Sequence, residues 1–342
     1  MAYGIIPDAE SGRGMQTALL FHMHFVGDIR KVLQRVRLDE DCAARLWGAI
    51  LDEALDDIEV GSVLGALTAS GATREELAGL YRAAQDRMDR APLVCGARAV
   101  VIPAYGLVPG ESLMVSLAAA LLARFEVPVA IHGILDSPCG VSSVCVLREL
   151  GVLPCASLGE AQEKLRTDRI AFIPAQLLGS RFASLIALRA RLGVEGPAHL
   201  VAQALDPTHA DAVRLTFSVA GAACESLEAL AARIGGDFVA LTWPAGRTPL
   251  SLATRPRIEG IHDGDRELLF EADVQEMRGA VAQPPEDAQG MARWIKRVMS
   301  GAIPVPAPAV NLVAACLFAT GLAPDFTQAK AIAAVNAGRL AA

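Results

Sequence analysis

Lysine and aromatic residues are scarce in this chain. Of 31 basic residues only Lys31, Lys164, Lys296 and Lys330 are lysines, which leaves 27 arginines. Aromatic side chains make up 5%, too few to support base stacking as a main mode of ligand recognition. The seven cysteines are Cys42, Cys95, Cys139, Cys145, Cys155, Cys224 and Cys316. Their odd number and the lack of any C-x-x-C pair suggest neither a disulfide framework nor a zinc knuckle. They lie mostly in apolar stretches, read as small core residues, and suit a reducing cytoplasm. Long apolar runs are also missing. The uncharged stretch Val298–Pro324 is broken by Pro304, Pro306, Pro308 and Asn311, and only Val310–Leu322 is dense in apolar residues, short of the roughly 20 that a bilayer requires. Asp8 and Glu10 precede the first apolar patch, which argues against a signal peptide. Residues 1 to about 14 read as a loose leader.

What is present is a globular composition: 342 residues, 53% hydrophobic and 20% charged, enough for one large domain or two ordinary ones. Acids exceed bases, for a net charge of −7. That excludes a globally basic nucleic-acid binder and leaves room for a local basic groove. The charge is segregated along the chain. Asp39–Glu59 carries eight acids against the single base Arg45, a local excess equal to that of the whole chain. Glu160–Arg191 is net +3, and Arg247–Arg257 is net +3 without any acid.

Apolar spacing predicts helices first. Leu46, Ile50, Leu51 and Leu55 recur at helical intervals, as do Val60, Val63, Leu64 and Leu67. Thr73-Arg74-Glu75-Glu76 is a capping box, opening a helix with Leu77, Leu80, Tyr81 and Ala84 on one face. The pattern changes near Ala91-Pro92. Short apolar runs at 99–102, 128–131, 170–173, 215–218 and 238–241 read as buried strands. They alternate with helices over Glu111–Arg124, Val141–Leu150, Arg181–Leu192 and Ser226–Ile234. Three more helices are expected at Pro285–Met299, Pro306–Ala319 and Asp325–Ala337. The fold class is therefore α/β: a small N-terminal helical bundle over 1–92, then a larger domain over 93–342 with a doubly wound, mostly parallel sheet and a helical C-terminal tail. Ligands in such sheets bind beyond the carboxyl ends of the strands. The loops at 103–110, 132–140, 174–180 and 242–257 are the ones to inspect.

Several stretches resemble the anthranilate phosphoribosyltransferase family. Gly61–Leu67 through Gly71, Glu76, Leu80 and Tyr81 looks like its N-terminal helix pair. His132-Gly133 looks like part of its Lys-His-Gly-Asn loop, Arg189–Gly193 like its Arg-x-x-Leu-Gly element, and Asn311 with Ala314–Gly321 like its C-terminal helix. Val101–Tyr105, Glu160–Leu165, Phe172–Pro174 and Met291–Ile295 are more similar to the YbiB-type branch, the DNA-binding paralogues of that enzyme. The resemblance implies the family fold and a homodimer formed through the helical domain.

The family's chemistry is only partly represented. Its pyrophosphate cradle is a Gly-Thr-Gly-Gly-Asp loop after the first strand, using backbone amides at a helix start. Here only Gly106 and Gly110 remain, Pro109 removes a donor, and Glu111 places negative charge before Ser112. The second loop keeps His132 and Gly133 but no lysine. These residues read as a vestigial phosphate loop. The family holds Mg²⁺ with an Asp-Glu pair in a later loop. The region taken to correspond, Trp243–Arg257, carries Arg247, Arg255 and Arg257 in place of acids, which reads as an anion site. Arg189 matches the arginine that faces the anthranilate carboxylate, Glu195 stands near the family's downstream arginine, and Asp206-Pro207 looks like its Asn-Pro. Phe21-His22-Met23-His24-Phe25 offers two imidazoles without a third metal ligand.

These features lead to an expectation: a catalytically diverged protein that binds nucleic acid without sequence specificity. Its ligand would lie in an inter-domain groove lined by Arg181, Arg189, Arg191, Arg247, Arg255 and Arg257. No catalytic residue, metal or cofactor is expected, and no membrane association. The alternative is an active transferase using phosphoribosyl pyrophosphate and Mg²⁺ with an anthranilate-like acceptor. A second alternative is a non-enzymatic scaffold for another anionic ligand.

Overall fold

The computed structural model describes residues 25–91, 98–136, 140–208, 211–247, 249, 252, 254–273 and 285–339, with side chains through 335. The chain opens with helical residues 25–33 (α1), followed by α2 (Glu40–Leu51), α3 (Asp57–Ser70) and α4 (Arg74–Arg87). Local chemistry starts each of the last three. Asp39 accepts from the Cys42 amide, and Asp56 with Glu59 and Thr73 with Glu76 form reciprocal capping boxes, which satisfy amides that a helix start would leave orphaned.

The second part alternates strands and helices. In order they are β1 (Val100–Ala104), α5 (Glu111–Arg124), β2 (Val129–Gly133), α6 (Ser143–Glu149), α7 (Leu158–Thr167), β3 (Ile170–Pro174), α8 (Ala175–Leu178), α9 (Ser180–Ala187), α10 (Arg189–Leu192) and α11 (Pro197–Ala204). Then come β4 (Val213–Val219), α12 (Ala222–Ile234), β5 (Asp237–Trp243), β6 (Arg257–His262), β7 (Asp265–Phe270), α13 (Ala288–Met299), α14 (Ala307–Ala319) and α15 (Phe326–Arg339). The sheet order is β3-β2-β1-β4-β5-β6-β7. The first five strands run parallel, β6 pairs antiparallel with β5, and β7 pairs antiparallel with β6. The chain winds outward from β1 to β3, then returns to place β4 on the other side of β1. The gap between β1 and β4 is thus a topological switch point, where such sheets hold ligands.

Both faces are covered. One core joins the sheet to α5, α6, α13 and α14 through Leu113, Leu117, Phe172, Phe217, Trp243, Trp294 and Ile295. The other joins α2, α3 and α4 to α9, α11 and α12, packing Trp47, Leu77 and Leu80 with Phe182, Ile186, Val201 and Phe238. The helical bundle therefore shares its core with the second part of the chain.

Three sequence expectations need correction. The helix expected over Arg181–Leu192 is broken, since α9 ends at Ala187 and α10 begins at Arg189. Helices α7 and α11 stand where none was assigned. The loop expected to reach Arg257 ends sooner, because Arg257 opens β6, the first arm of an antiparallel hairpin.

Candidate functional site

The loop after β1 wraps around the side chain of Glu111. This residue is 4% exposed and opens α5. Its carboxylate accepts from the amides of Gly106 (3.1 Å), Leu107 (3.0 Å) and Val108 (3.3 Å). Burial drives the carboxyl up to about 7, and the amide donors only partly offset this. Gly106 and Gly110 take left-handed backbone angles, φ 67° and 84°, that let the loop turn back onto α5. Ser112 is buried, with Oγ 3.8 Å from Met291 Sδ. The backbone amides that could cradle an anion at the switch point are thus occupied by the chain's own carboxylate.

Beneath the loop His132 and Tyr105 form a buried pair. His132 Nδ1 lies 2.9 Å from the Tyr105 hydroxyl, and the rings meet edge to face with centroids 5.4 Å apart. Burial pushes the imidazole down to about 3 and the phenol above its usual range. His132 is therefore neutral at physiological pH and supplies no charge to an anion. Its Nε2 is buried without a hydrogen-bond partner among the described residues. Gly133 packs so tightly that a Cβ there would come 2.0 Å from the Ala104 carbonyl oxygen.

The six arginines are spread over several elements, and most meet acids. Arg189 is 14% exposed; it donates to the Gly106 carbonyl at 3.0 Å and pairs with Glu195 at 2.7 Å. It braces the outside of the loop that Glu111 braces from within. Arg181 donates to the Ile50 carbonyl at 3.2 Å and lies 3.9 Å from Glu53, tying α9 to the bundle. Arg255 pairs with Asp273, and their backbones bridge in both directions at 3.1 Å. Arg257 pairs with Glu259 at 2.8 Å. Arg191 is exposed and Arg247 half-buried, and neither has an ion-pair partner among the described residues.

The sequence shows the arginines but not which carboxylates meet them. Asp273 and Glu53 come from other segments, Glu195 from the loop just after α10, and no helical or strand spacing announces these pairings. Glu259 is itself buried and shared with Arg266, which reaches Glu228 on α12 at 2.9 Å. Next to that network, at the carboxyl ends of β4 and β5, Ser218, Thr242 and Cys224 form a small polar cluster, with Ser218 Oγ 3.2 Å from Thr242 Oγ1 and Cys224 Sγ 3.3 Å from Glu228.

Among the described residues no three His, Cys, Asp or Glu side chains converge as metal ligands. His22 and His24 lie outside the described residues, as do Cys95, residues 137–139, Thr248, Leu250, Ser251 and Ala253. No helix among the described residues is long and apolar enough to cross a membrane.

With this geometry in view, similarity to known proteins can be placed on it. Residues 29–88 match the family described as "Glycosyl transferase family, helical bundle domain". YbiB of Escherichia coli K12, an uncharacterized protein, is 28% identical over 315 residues, covering 89% of this chain and 98% of that one. The anthranilate phosphoribosyltransferase of Geobacillus thermodenitrificans is 27% identical over 322 residues, covering 88% and 91%. Among solved structures, anthranilate phosphoribosyltransferase (TrpD) from Thermus thermophilus superposes with a TM-score of 0.70 at 20% identity, covering 92% of this chain and 94% of the other. The Saccharomyces cerevisiae enzyme in complex with PRPP and Mg gives a TM-score of 0.67 at 14% identity, covering 92% and 95%. At those identities the superpositions show a shared fold.

Proposed function

Because this chain is homologous to YbiB and to the anthranilate phosphoribosyltransferases, we propose that it keeps their fold, makes no use of phosphoribosyl pyrophosphate, and binds nucleic acid through the phosphate backbone. The observation that carries the first part is the Glu111 carboxylate in the amide nest of Gly106, Leu107 and Val108. A pyrophosphate placed there would have to displace a buried carboxylate and would gain no lysine in exchange. Glu228 on α12 and Glu259 on β6 are both held by Arg266, so a divalent cation would compete with a guanidinium for them. Nucleic-acid binding draws its support from the arginine-rich carboxyl end of the sheet, with Arg191 and Arg247 free to meet phosphates. Such contacts are weakly sequence-specific and fall off with salt.

Calorimetry with phosphoribosyl pyrophosphate and Mg²⁺ tests the first part. No saturable heat is expected, and tight metal-dependent binding would overturn it. Fluorescence anisotropy with a labelled single-stranded oligodeoxynucleotide tests the second. Binding at low salt that weakens as salt is raised is expected. Absence of binding at low salt would sink it.

The same reading includes a homodimer through the helical domain and a reducing, cytoplasmic setting. The 80% exposed Ile58 on α3 supports self-association there. The five cysteines among the described residues are free thiols, in keeping with that compartment.

A further inference from the structure

One concentration of positive charge without carboxylate partners among the described residues lies away from the switch point, toward the amino ends of the strands, where α5 leads back to β2. Helices α5, α6 and α13 pack against one another there, and their last turns converge. Arg124, at the end of α5, donates to the Met299 carbonyl at 2.9 Å, and Lys296 of α13 donates to the Glu149 carbonyl at 2.8 Å. Beside these two cations stand Arg148 of α6 and Arg293 and Arg297 of α13. All five are exposed, and none has a carboxylate partner among the described residues. Arg293, Lys296 and Arg297 share one face of α13, spaced i, i+3 and i+4, while Met291, Trp294, Ile295 and Val298 anchor the other face in the core.

The nearby acids do not cancel this charge. Glu149 is the one acid on the three packed helices close to it. Glu126 is taken by Arg169 at 3.0 Å, and Asp287 caps the Gly290 amide at the far end of α13. Three helix carboxyl ends contribute about half a negative charge each, so two to three positive charges remain. That end effect accounts for Arg124 and Lys296, which cap carbonyls. It does not account for Arg293, which sits within α13, or for the unengaged guanidinium groups of Arg148 and Arg297.

We propose that the face formed by Arg124, Arg148, Arg293, Lys296 and Arg297 is a second phosphodiester-binding surface, distinct from the arginines at the carboxyl ends of the strands. This inference rests on the reading that the protein binds nucleic acid. Four of the five cations are arginines, whose planar fork matches phosphate oxygens two at a time. None of the exposed large apolar side chains among the described residues belongs to α5, α6 or α13, so the face lacks the apolar half of a membrane-surface helix. The chain's own acidic segment is no match for it. There Glu40 is shared by Arg82 and Arg233, Asp41 is held by Arg82 and Asp52 by Arg87.

The test compares the full chain with Arg148→Glu/Arg293→Glu/Arg297→Glu, using anisotropy of a fluorescein-labelled single-stranded oligodeoxynucleotide across a salt series. Each lost phosphate contact removes about 0.7 from the slope of log affinity against log salt. The triple variant should therefore bind at least about tenfold more weakly at low salt, with a slope lower by about 2. The single variant Arg293→Glu should shift both in the same direction, and replacement of the three arginines by lysine should retain binding. Thermal melting controls for folding. Wild-type affinity and slope in both the triple and the single charge-reversal variants would overturn the inference. If only Arg191→Glu/Arg247→Glu abolishes binding, this face is excluded while nucleic-acid binding stands. If the wild type does not bind the oligonucleotide at all, both fall. Loss of phosphatidylserine-vesicle binding in the triple variant, with oligonucleotide binding unchanged, would overturn the phosphodiester assignment.

Discussion

Glu111 experiences two opposed effects, since its amide donors favour the carboxylate while burial favours the neutral acid. Burial is the larger, and the group titrates at about 7 instead of 4.5. Its folded value lies above the unfolded one. Its stabilising contribution is thus complete below about 4.5 and is lost as pH rises through about 7, an effect on the order of 3 kcal/mol. His132 and His199 act in the other direction. Burial holds them down to about 3 and about 4, so their contribution is complete above 6.5 and declines as pH falls. Urea denaturation should show wild-type stability falling between pH 5 and pH 8 relative to Glu111→Gln, which loses the alkaline-side decline. Parallel pH profiles for the two proteins would contradict this account. The sequence marked Glu111 as an unsuitable neighbour for pyrophosphate. That the same carboxylate fills the cradle depended on the loop folding back, which residue identities alone do not specify.

Among elements, the buried parallel strands and the amphipathic helices were legible, because β-branched runs and i, i+3, i+4 spacing are local signals. The parts that escaped share a physical reason. Helix α11 is buried nearly all round, including His199 and Gln203, so it has no polar face to betray its period; only Pro197 at its first turn marks the start. The β6–β7 hairpin ends the sheet with a charged edge strand, so β7 alternates poorly. Its Asp263-Gly264 turn, with both residues at positive φ, was the available signal. Packing between α2 and α4 depends on Gly79, where a Cβ would lie 2.5 Å from the Ala43 Cβ and 2.7 Å from the Ala44 nitrogen. Gly79→Ala should cost about 1–3 kcal/mol. Gly65→Ala, on an open helix surface with nothing within 4 Å, should stabilise by about 0.5–1 kcal/mol. Urea midpoints moving in the same direction for both would refute this distinction.

For the whole molecule, the helical bundle and the α/β part share one of the two main cores. Buried Arg214 on β4 adds a cross-link, reaching the Tyr81 hydroxyl at 3.2 Å and the Ala204 carbonyl at 3.3 Å. The two parts are therefore expected to unfold together. Fluorescence of Trp47, which reports on the bundle, should change at the same urea concentration as that of Trp243 and Trp294. Single-tryptophan variants with separated transitions would show independent domains.

The amino-acid order by itself signalled most of the strands and helices and the Thr73 capping box, because those signals lie within a few residues, and their alternation implied a mostly parallel sheet; strand order and pairing came from contacts far apart in the chain. It also located every arginine. Which arginines remain available was decided by the tertiary structure. The segments that looked most acidic and most basic along the chain are matched, in part, by opposite charges brought in from other segments, as with Asp52 and Arg87, and Arg255 and Asp273. Arg148, Arg293 and Arg297, which no local charge count singled out, are left exposed together. Charge neutralisation acts over a few ångströms of space, whereas a count along the chain measures distance in residues.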